Sequence, residues 1–354
     1  RYKVNNEGSM KIVIYGEEGL LSSSIVNALK DGDEIVLGDK KKKMPEGIDV
    51  LALSERHSSY IEEIWKGLDP SISILAAFES PVGIAEFMGS GNVFHIPFQH
   101  SHSLLRSTMD KIRTQKILEK RLQNHIIGHS RDMKRLRAQI AHSSQTDLPV
   151  HLFGETGTGK SMSSKLIHDL SGNRKDYVYV NCSNLNSSII DSDLFGHIKG
   201  AYTSAGETRK GLLGKANGTT LFLDEVGDLP LDTQGKLLDT IETGFYRQVG
   251  SDVEEKTSFR LITAAQKSLE ELLEEKKIRS DFYYRIKNYS IKTVPLRQHP
   301  EDIPDIIKAY EEKRNISEGR IKKDYNKLMG YRWSGNVREL YHFLDRIYVE
   351  HHYD

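Results

Sequence analysis

From Met10 onward, short apolar runs alternate with stretches whose apolar residues recur every three or four positions. The runs are KIVIY (11–15), EIVL (34–37), DVLAL (49–53), ISILAAF (72–78) and VFHI (93–96), with helix-like stretches at 20–30, 58–67 and 82–88 between them. Buried-looking strands separated by amphipathic helices predict a doubly wound, flavodoxin-like α/β domain over 10–103. Residues 104–125 are then predicted to be a linker helix, rich in lysine and arginine. Leu105, Met109, Ile112, Leu118 and Leu122 recur on it near helical spacing. That stripe either pairs with its copy in a dimer or lies on its own domain, because so short a pattern does not separate the two. A second βα alternation is predicted over 126–304, with a surface helix at 268–277. A helical lid follows over 305–354.

Composition narrows the class. The 354 residues suit two or three domains, and 37% hydrophobic with 28% charged residues is the balance of a globular chain. Mean hydropathy is -0.52, and no stretch approaches the ~18 apolar residues that a spanning helix needs. The 50 basic and 50 acidic residues cancel, which excludes a global field that would coat nucleic acid or anionic lipid. The run Lys40–Lys43 reads as a solvated loop. One cysteine, Cys182, excludes an intrachain disulfide and reads as a buried structural thiol, and with no apolar leader the expected location is cytoplasmic. Residues 1–9, which precede Met10, are expected to be an appended extension outside the fold. The 14 histidines show no metal-ligand spacing.

The chemistry concentrates in the second domain. PVHLF (149–153) reads as a buried strand and runs directly into Gly154, Glu155, Thr156, Gly157, Thr158, Gly159, Lys160 and Ser161, followed by a helix. This is GxxxxGK[ST] in its confirming context. The glycines let backbone N–H groups converge on phosphate oxygens. Lys160 is expected to reach the β- and γ-phosphates of ATP, and Ser161 to offer its hydroxyl to Mg²⁺. A second strand, TTLFLDE (219–225), ends in two acids. Asp224 fits the metal-side carboxylate, and Glu225 the base that polarises the attacking water.

Beyond these motifs, the chain from Ile127 onward resembles the AAA+ ATPase domain of bacterial enhancer-binding proteins, the activators of sigma-54 RNA polymerase. The resemblance rests on LFGHIKGAYTSA (194–205), RQVGSD (247–252), SDFYYRI (280–286), VPLRQHPEDIP (294–304) and WSGNVREL (333–340). It implies a ring, usually a hexamer, with each ATP site between neighbouring subunits. It assigns Arg279 and Arg285 to the neighbour's γ-phosphate and Arg338 to the sensor position of the lid. Asn181 matches the asparagine that holds the catalytic glutamate in an inactive pose; on the residues alone it reads as an Asx turn closing a strand. Gly200, Ala201, Tyr202, Thr203, Ser204 and Ala205 match the loop that touches sigma-54 factor. Ser204 stands where the family has glycine, which costs conformational energy if the backbone there has positive φ. Gln266 stands where the family has asparagine, one methylene further out.

The first domain resembles a response-regulator receiver without its phosphotransfer chemistry. Its acidic pair is Glu17 and Glu18, but the phosphoacceptor position falls on Ser54, the hydroxyl position on Ala76 and the lysine position on Ile96. Serine cannot form an acyl phosphate, so the expected role is protein contact, with an inert remnant as the alternative. Fourteen or so residues after GNVREL leave no room within the chain for the helix-turn-helix through which such activators read DNA. Two functions follow: an ATP-hydrolysing activator that remodels sigma-54 polymerase, or a nucleotide-binding regulatory scaffold that has lost productive sigma-54 contact.

Overall fold

The computed structural model describes residues 10–15, 25, 33–37, 47–54, 68–78, 92–97, 101–172, 176–184, 190–201, 207–315 and 325–350. Two compact units divide the chain, Arg1–His142 and Ser143–Asp354.

In the first unit β1 (Lys11–Tyr15), β2 (Glu34–Leu37), β3 (Val50–Ser54), β4 (Ser73–Phe78) and β5 (Val93–Pro97) form one parallel sheet in the order β2-β1-β3-β4-β5. That is the flavodoxin-like order. Successive residues of a strand point to opposite faces, and here both faces are buried. Ile12, Ile14, Val50, Ala52 and Leu75 belong to one apolar cluster, and Val13, Tyr15, Leu51, Leu53 and Ile74 to another. This is why the runs are continuously apolar rather than alternating.

The linker helix expected at 104–125 runs from Ser101 to Leu122. Its Leu105, Met109 and Ile112 lie in the same cluster as Ile12, Ile14 and Val50. The N-terminal half of the stripe is therefore covered by the first unit's own sheet. Arg113 anchors it through a fork to Asp33, whose side chain is fully buried. The carboxylate also accepts from the Met10 backbone N–H at 2.9 Å, so the buried charges are paired and hydrogen-bonded together. The unit boundary at His142 lies beyond the expected one at 125, and most of a further helix, Arg131–Ser144, falls with the first unit.

The second unit holds β6 (Val150–Phe153), β7 (Val178–Asn181), the ribbon of β8 (Gly196–His197) and β9 (Arg209–Lys210), β10 (Thr220–Asp224), the ribbon of β11 (Phe245–Arg247) and β12 (Glu254–Lys256), β13 (Arg260–Ala265) and β14 (Tyr289–Lys292). Its main sheet is all parallel in the order β14-β6-β13-β10-β7. Leu221, Leu223, Leu261, Phe282 and Ile286 fill the core on one side. The expected surface helix forms over Leu269–Glu274, with Ser268 and Glu271 closing a reciprocal capping box. Three helices, Ile303–Lys313, Tyr325–Gly330 and Asn336–Glu350, make up the lid segment. No helix among the described residues is long and apolar enough to cross a membrane.

Candidate nucleotide site

Parallel strands bring the ends of β6, β10 and β13 to one edge, where open α/β sheets bind ligands. The loop after β6 enters the helix Lys160–Leu170, and three of its glycines adopt left-handed or otherwise glycine-favouring backbone: Gly154 at φ 147°, Gly157 at 81° and Gly159 at 97°. Two of them are also required by space. A Cβ on Gly154 would lie 2.4 Å from the Thr293 carbonyl oxygen, and one on Gly157 would lie 2.1 Å from the Gly335 carbonyl oxygen. No side chain fits at either point. Thr158 braces the loop, its hydroxyl donating to the Glu155 carbonyl at 2.7 Å and sharing a 2.7 Å hydrogen bond with Thr293.

Lys160 is buried and donates to the carbonyls of Gly154 at 2.7 Å and Glu155 at 3.2 Å. Burial pulls its pKa down, while Glu225 and Asp224 pull it back up. An ammonium folded onto loop carbonyls is in position to exchange them for phosphate oxygens. Ser161 Oγ donates to Asp224 Oδ2 at 3.1 Å. A hydroxyl and a carboxylate converging on one point are the hard oxygen donors that Mg²⁺ takes, and their small number leaves positions for water and phosphate oxygens.

Glu225 follows Asp224 with left-handed backbone, φ 53° and ψ 52°. For a non-glycine residue this costs roughly 1–2 kcal/mol, and such strain gathers at functional sites. Burial raises its pKa and Asp224 adds to the rise, against Lys160 and a hydrogen bond from Gln266. A carboxylate poised upward in this way suits a general base. Asn181, expected to hold this glutamate, instead accepts from the Ser183 N–H at 3.0 Å and pairs with the Tyr179 hydroxyl. It forms the Asx turn, and a Gln266 hydrogen bond from just past β13 lowers the Glu225 pKa.

The arginines divide. Arg338 lies against the phosphate loop, its Cβ 3.2 Å from where a Cβ on Gly157 would stand. Arg279 is exposed and paired with Asp281 at 2.8 Å, and Arg285 is exposed and donates to the Ile241 carbonyl at 3.1 Å. Cys182 is buried and burial pushes its thiol up to about 12, as a structural thiol requires. Of the expected contact loop, Gly200 and Ala201 are described, with Gly200 at φ 84°. Tyr202, Thr203, Ser204 and Ala205 lie outside the described residues, as do Glu17 and Glu18. Ser54 ends β3, and Ala76 and Ile96 are buried apolar residues of β4 and β5.

Residues 126–292 match the sigma-54 interaction domain family, and 40% of 228 aligned residues are shared with the formate hydrogenlyase transcriptional activator of Escherichia coli (strain K12), covering 62% of this chain and 33% of that protein. Residues 126–292 therefore form a sigma-54 interaction domain. The Nif-specific regulatory protein of Azotobacter vinelandii is 32% identical over 344 residues, which is 91% of this chain and 65% of that protein. The chain thus spans about one third to two thirds of the length of these relatives. A crystal structure of NtrX from Brucella abortus shares the fold at TM-score 0.56 and 21% identity, covering 96% of this chain and 82% of that one.

Several residues around the site were not expected from the sequence. Thr293 and Asn336 touch the phosphate loop, Arg297 pairs with Glu155, and Tyr179 donates to Asp224 Oδ2 at 3.4 Å. Arg297 and Asn336 lie in the segments 294–304 and 333–340 that carry the resemblance, but a hydroxyl or amide far along the chain carries no signal of the loop it will meet.

Proposed function

We propose that this chain binds and hydrolyses Mg²⁺-ATP and uses the cycle to remodel sigma-54 RNA polymerase. The observation that carries the reading is the convergence of Lys160, Ser161, Asp224 and the strained Glu225 at one sheet edge within a sigma-54 interaction domain. Lys160 neutralises phosphate charge, Ser161 and Asp224 hold Mg²⁺, and Glu225 takes the proton of the attacking water. The ion, when bound, neutralises charge on the phosphate oxygens. Gln266 holds Glu225 until nucleotide engages the amide. Arg279 and Arg285, exposed and away from their own phosphate loop, serve the site of a neighbouring copy in a ring. The loop 200–205 contacts sigma-54 factor.

In the first unit, Ser54, Ala76 and Ile96 replace the groups of aspartyl phosphotransfer, so the unit acts by protein contact in the cytoplasm and not by phosphorylation. The deciding experiment is gel filtration of the chain with sigma-54 factor and ADP–aluminium fluoride. A stable complex dependent on the analogue is expected. Its absence, from a preparation that binds nucleotide and forms rings, would favour the second reading, a nucleotide-binding regulatory scaffold, for which Ser204 is the specific motive.

A further inference from the structure

The phosphate loop is gripped from the lid side by Asn336 and, through Glu155, by Arg297. Asn336 is fully buried at the start of the helix Asn336–Glu350. Its Nδ2 donates to the Thr156 carbonyl at 2.9 Å and to Glu155 Oε2 at 3.3 Å. Its Oδ1 accepts from the Leu296 N–H at 2.9 Å. One amide therefore ties three segments together: the loop, the turn after β14 and the lid. Glu155 is further held by Arg297, whose guanidinium donates to both carboxylate oxygens at 2.5 and 2.6 Å. The Arg297 hydrogen bond, with a smaller contribution from Asn336, brings the Glu155 carboxyl down to about 2.

The backbone reinforces the grip. Trp333 and Asn336 both take left-handed backbone, at φ 47° and 54°, which bends the turn so that the Gly335 carbonyl presses on Gly157. A Cβ there would stand 2.1 Å from that oxygen. Asn336 suits the position twice over: asparagine tolerates the left-handed region, and its amide supplies both a donor and an acceptor. Gly335 itself donates to Glu339 Oε2 at 2.8 Å, which fixes the turn on the helix it opens.

We infer that Asn336, Arg297 and Glu155 form a latch through which the seating of the lid sets how tightly the phosphate loop holds nucleotide. The inference rests on the nucleotide reading above and adds a regulatory contact to it. With the latch closed, Glu155 and Thr156 are fixed and the loop N–H groups stay converged on the phosphates. When the lid swings, Asn336 withdraws, the loop relaxes and nucleotide leaves. Asn336 and Arg297 are positioning residues, since they act on the loop and not on the reacting atoms.

The test is release of a fluorescent ADP from the full chain by stopped flow, with single-turnover hydrolysis of pre-bound ATP measured alongside. Asn336→Gly deletes the amide while keeping the left-handed backbone accessible. Release is expected to speed up about five- to tenfold, the order of one buried hydrogen bond, a larger factor than the change in the single-turnover rate. Arg297→Ala, at an exposed position and safe for folding, should speed release in the same direction by a smaller factor. In the double variant the two effects should fall short of their product, because both act through Glu155. Wild-type release rates in both variants, or strictly multiplicative effects, would refute the latch. A wild-type chain that binds no nucleotide would refute the nucleotide reading and the latch with it, so the two failures are told apart by the control.

Discussion

His151 sits in the middle of β6, the strand that delivers the phosphate loop, and is fully buried. Its Nε2 lies 3.4 Å from the Lys267 carbonyl and so must carry the proton, leaving Nδ1 to accept from the Thr263 hydroxyl at 2.9 Å. The neutral ring is satisfied; a second proton would place a charge in the core. Burial accordingly lowers its pKa from 6.5 to about 4. In the unfolded chain the ring titrates near its ordinary value, so between these two pH values the unfolded state holds a proton that the folded state refuses. The contribution is complete above pH 6.5 and is lost as pH falls toward 4. At about 1.4 kcal/mol for each pH unit, the loss is roughly 3 kcal/mol. Urea unfolding of the second unit reports it, followed by Trp333 fluorescence in a Trp65→Phe background. His151→Gln keeps a hydrogen-bonding side chain that does not titrate. Wild type and variant should differ by a constant amount above pH 7, and the wild-type curve should then drop relative to the variant by about 3 kcal/mol between pH 6.5 and 4. Parallel curves across that window would show that His151 is not held neutral and would refute the reasoning.

Lys160→Ala should abolish ATP binding in an equilibrium fluorescence assay, while Glu225→Gln should retain binding and lose turnover; retained turnover would remove Glu225 from the base role. Gly157→Ala should cost at least about 1–2 kcal/mol from the left-handed backbone alone, and displacement of Gly335 should weaken nucleotide binding further; wild-type affinity by calorimetry would contradict the 2.1 Å approach. Mixing Arg285→Ala subunits with wild type should depress ATPase activity below the weighted mean, and simple averaging would count against a site shared between copies. Treatment with acetyl phosphate should leave no acyl phosphate on residues 10–103 by mass spectrometry, whereas stoichiometric labelling there would overturn the account of Ser54.

How far the sequence reaches depends on the range of the interaction. The phosphate loop is legible because strand, glycines and helix are contiguous, and GxxxxGK[ST] encodes a local backbone shape. Asp224 and Glu225 are legible because the apolar run Leu221–Leu223 announces where its strand's carboxyl end will be. The strand runs of the first unit name their own sheet, since burial on both faces leaves no alternation to misread. By contrast, periodicity on Ser101–Leu122 shows a stripe but not what covers it; only packing of Leu105, Met109 and Ile112 beside Ile12 and Ile14 decides that.

The same limit explains why the grip on the phosphate loop is invisible beforehand. Glu155 meets Arg297 across 142 positions and Asn336 across 181. Each looks ordinary alone: an acid inside a nucleotide motif, an arginine after a strand, an asparagine before a helix. The restraint on Glu225 is a related case. Asn181 ends β7 and Gln266 follows β13, the two strands that flank β10, and both carry amides. Asn181 turns back on its own backbone at Ser183, and the longer Gln266 gets to the carboxylate. A consequence follows for hydrolysis. If Gln266 restrains Glu225, then Gln266→Ala should free the glutamate and raise basal turnover, whereas Asn181→Ala should leave it near the wild-type rate. The opposite pattern would return the restraint to Asn181 and make the Gln266 contact incidental.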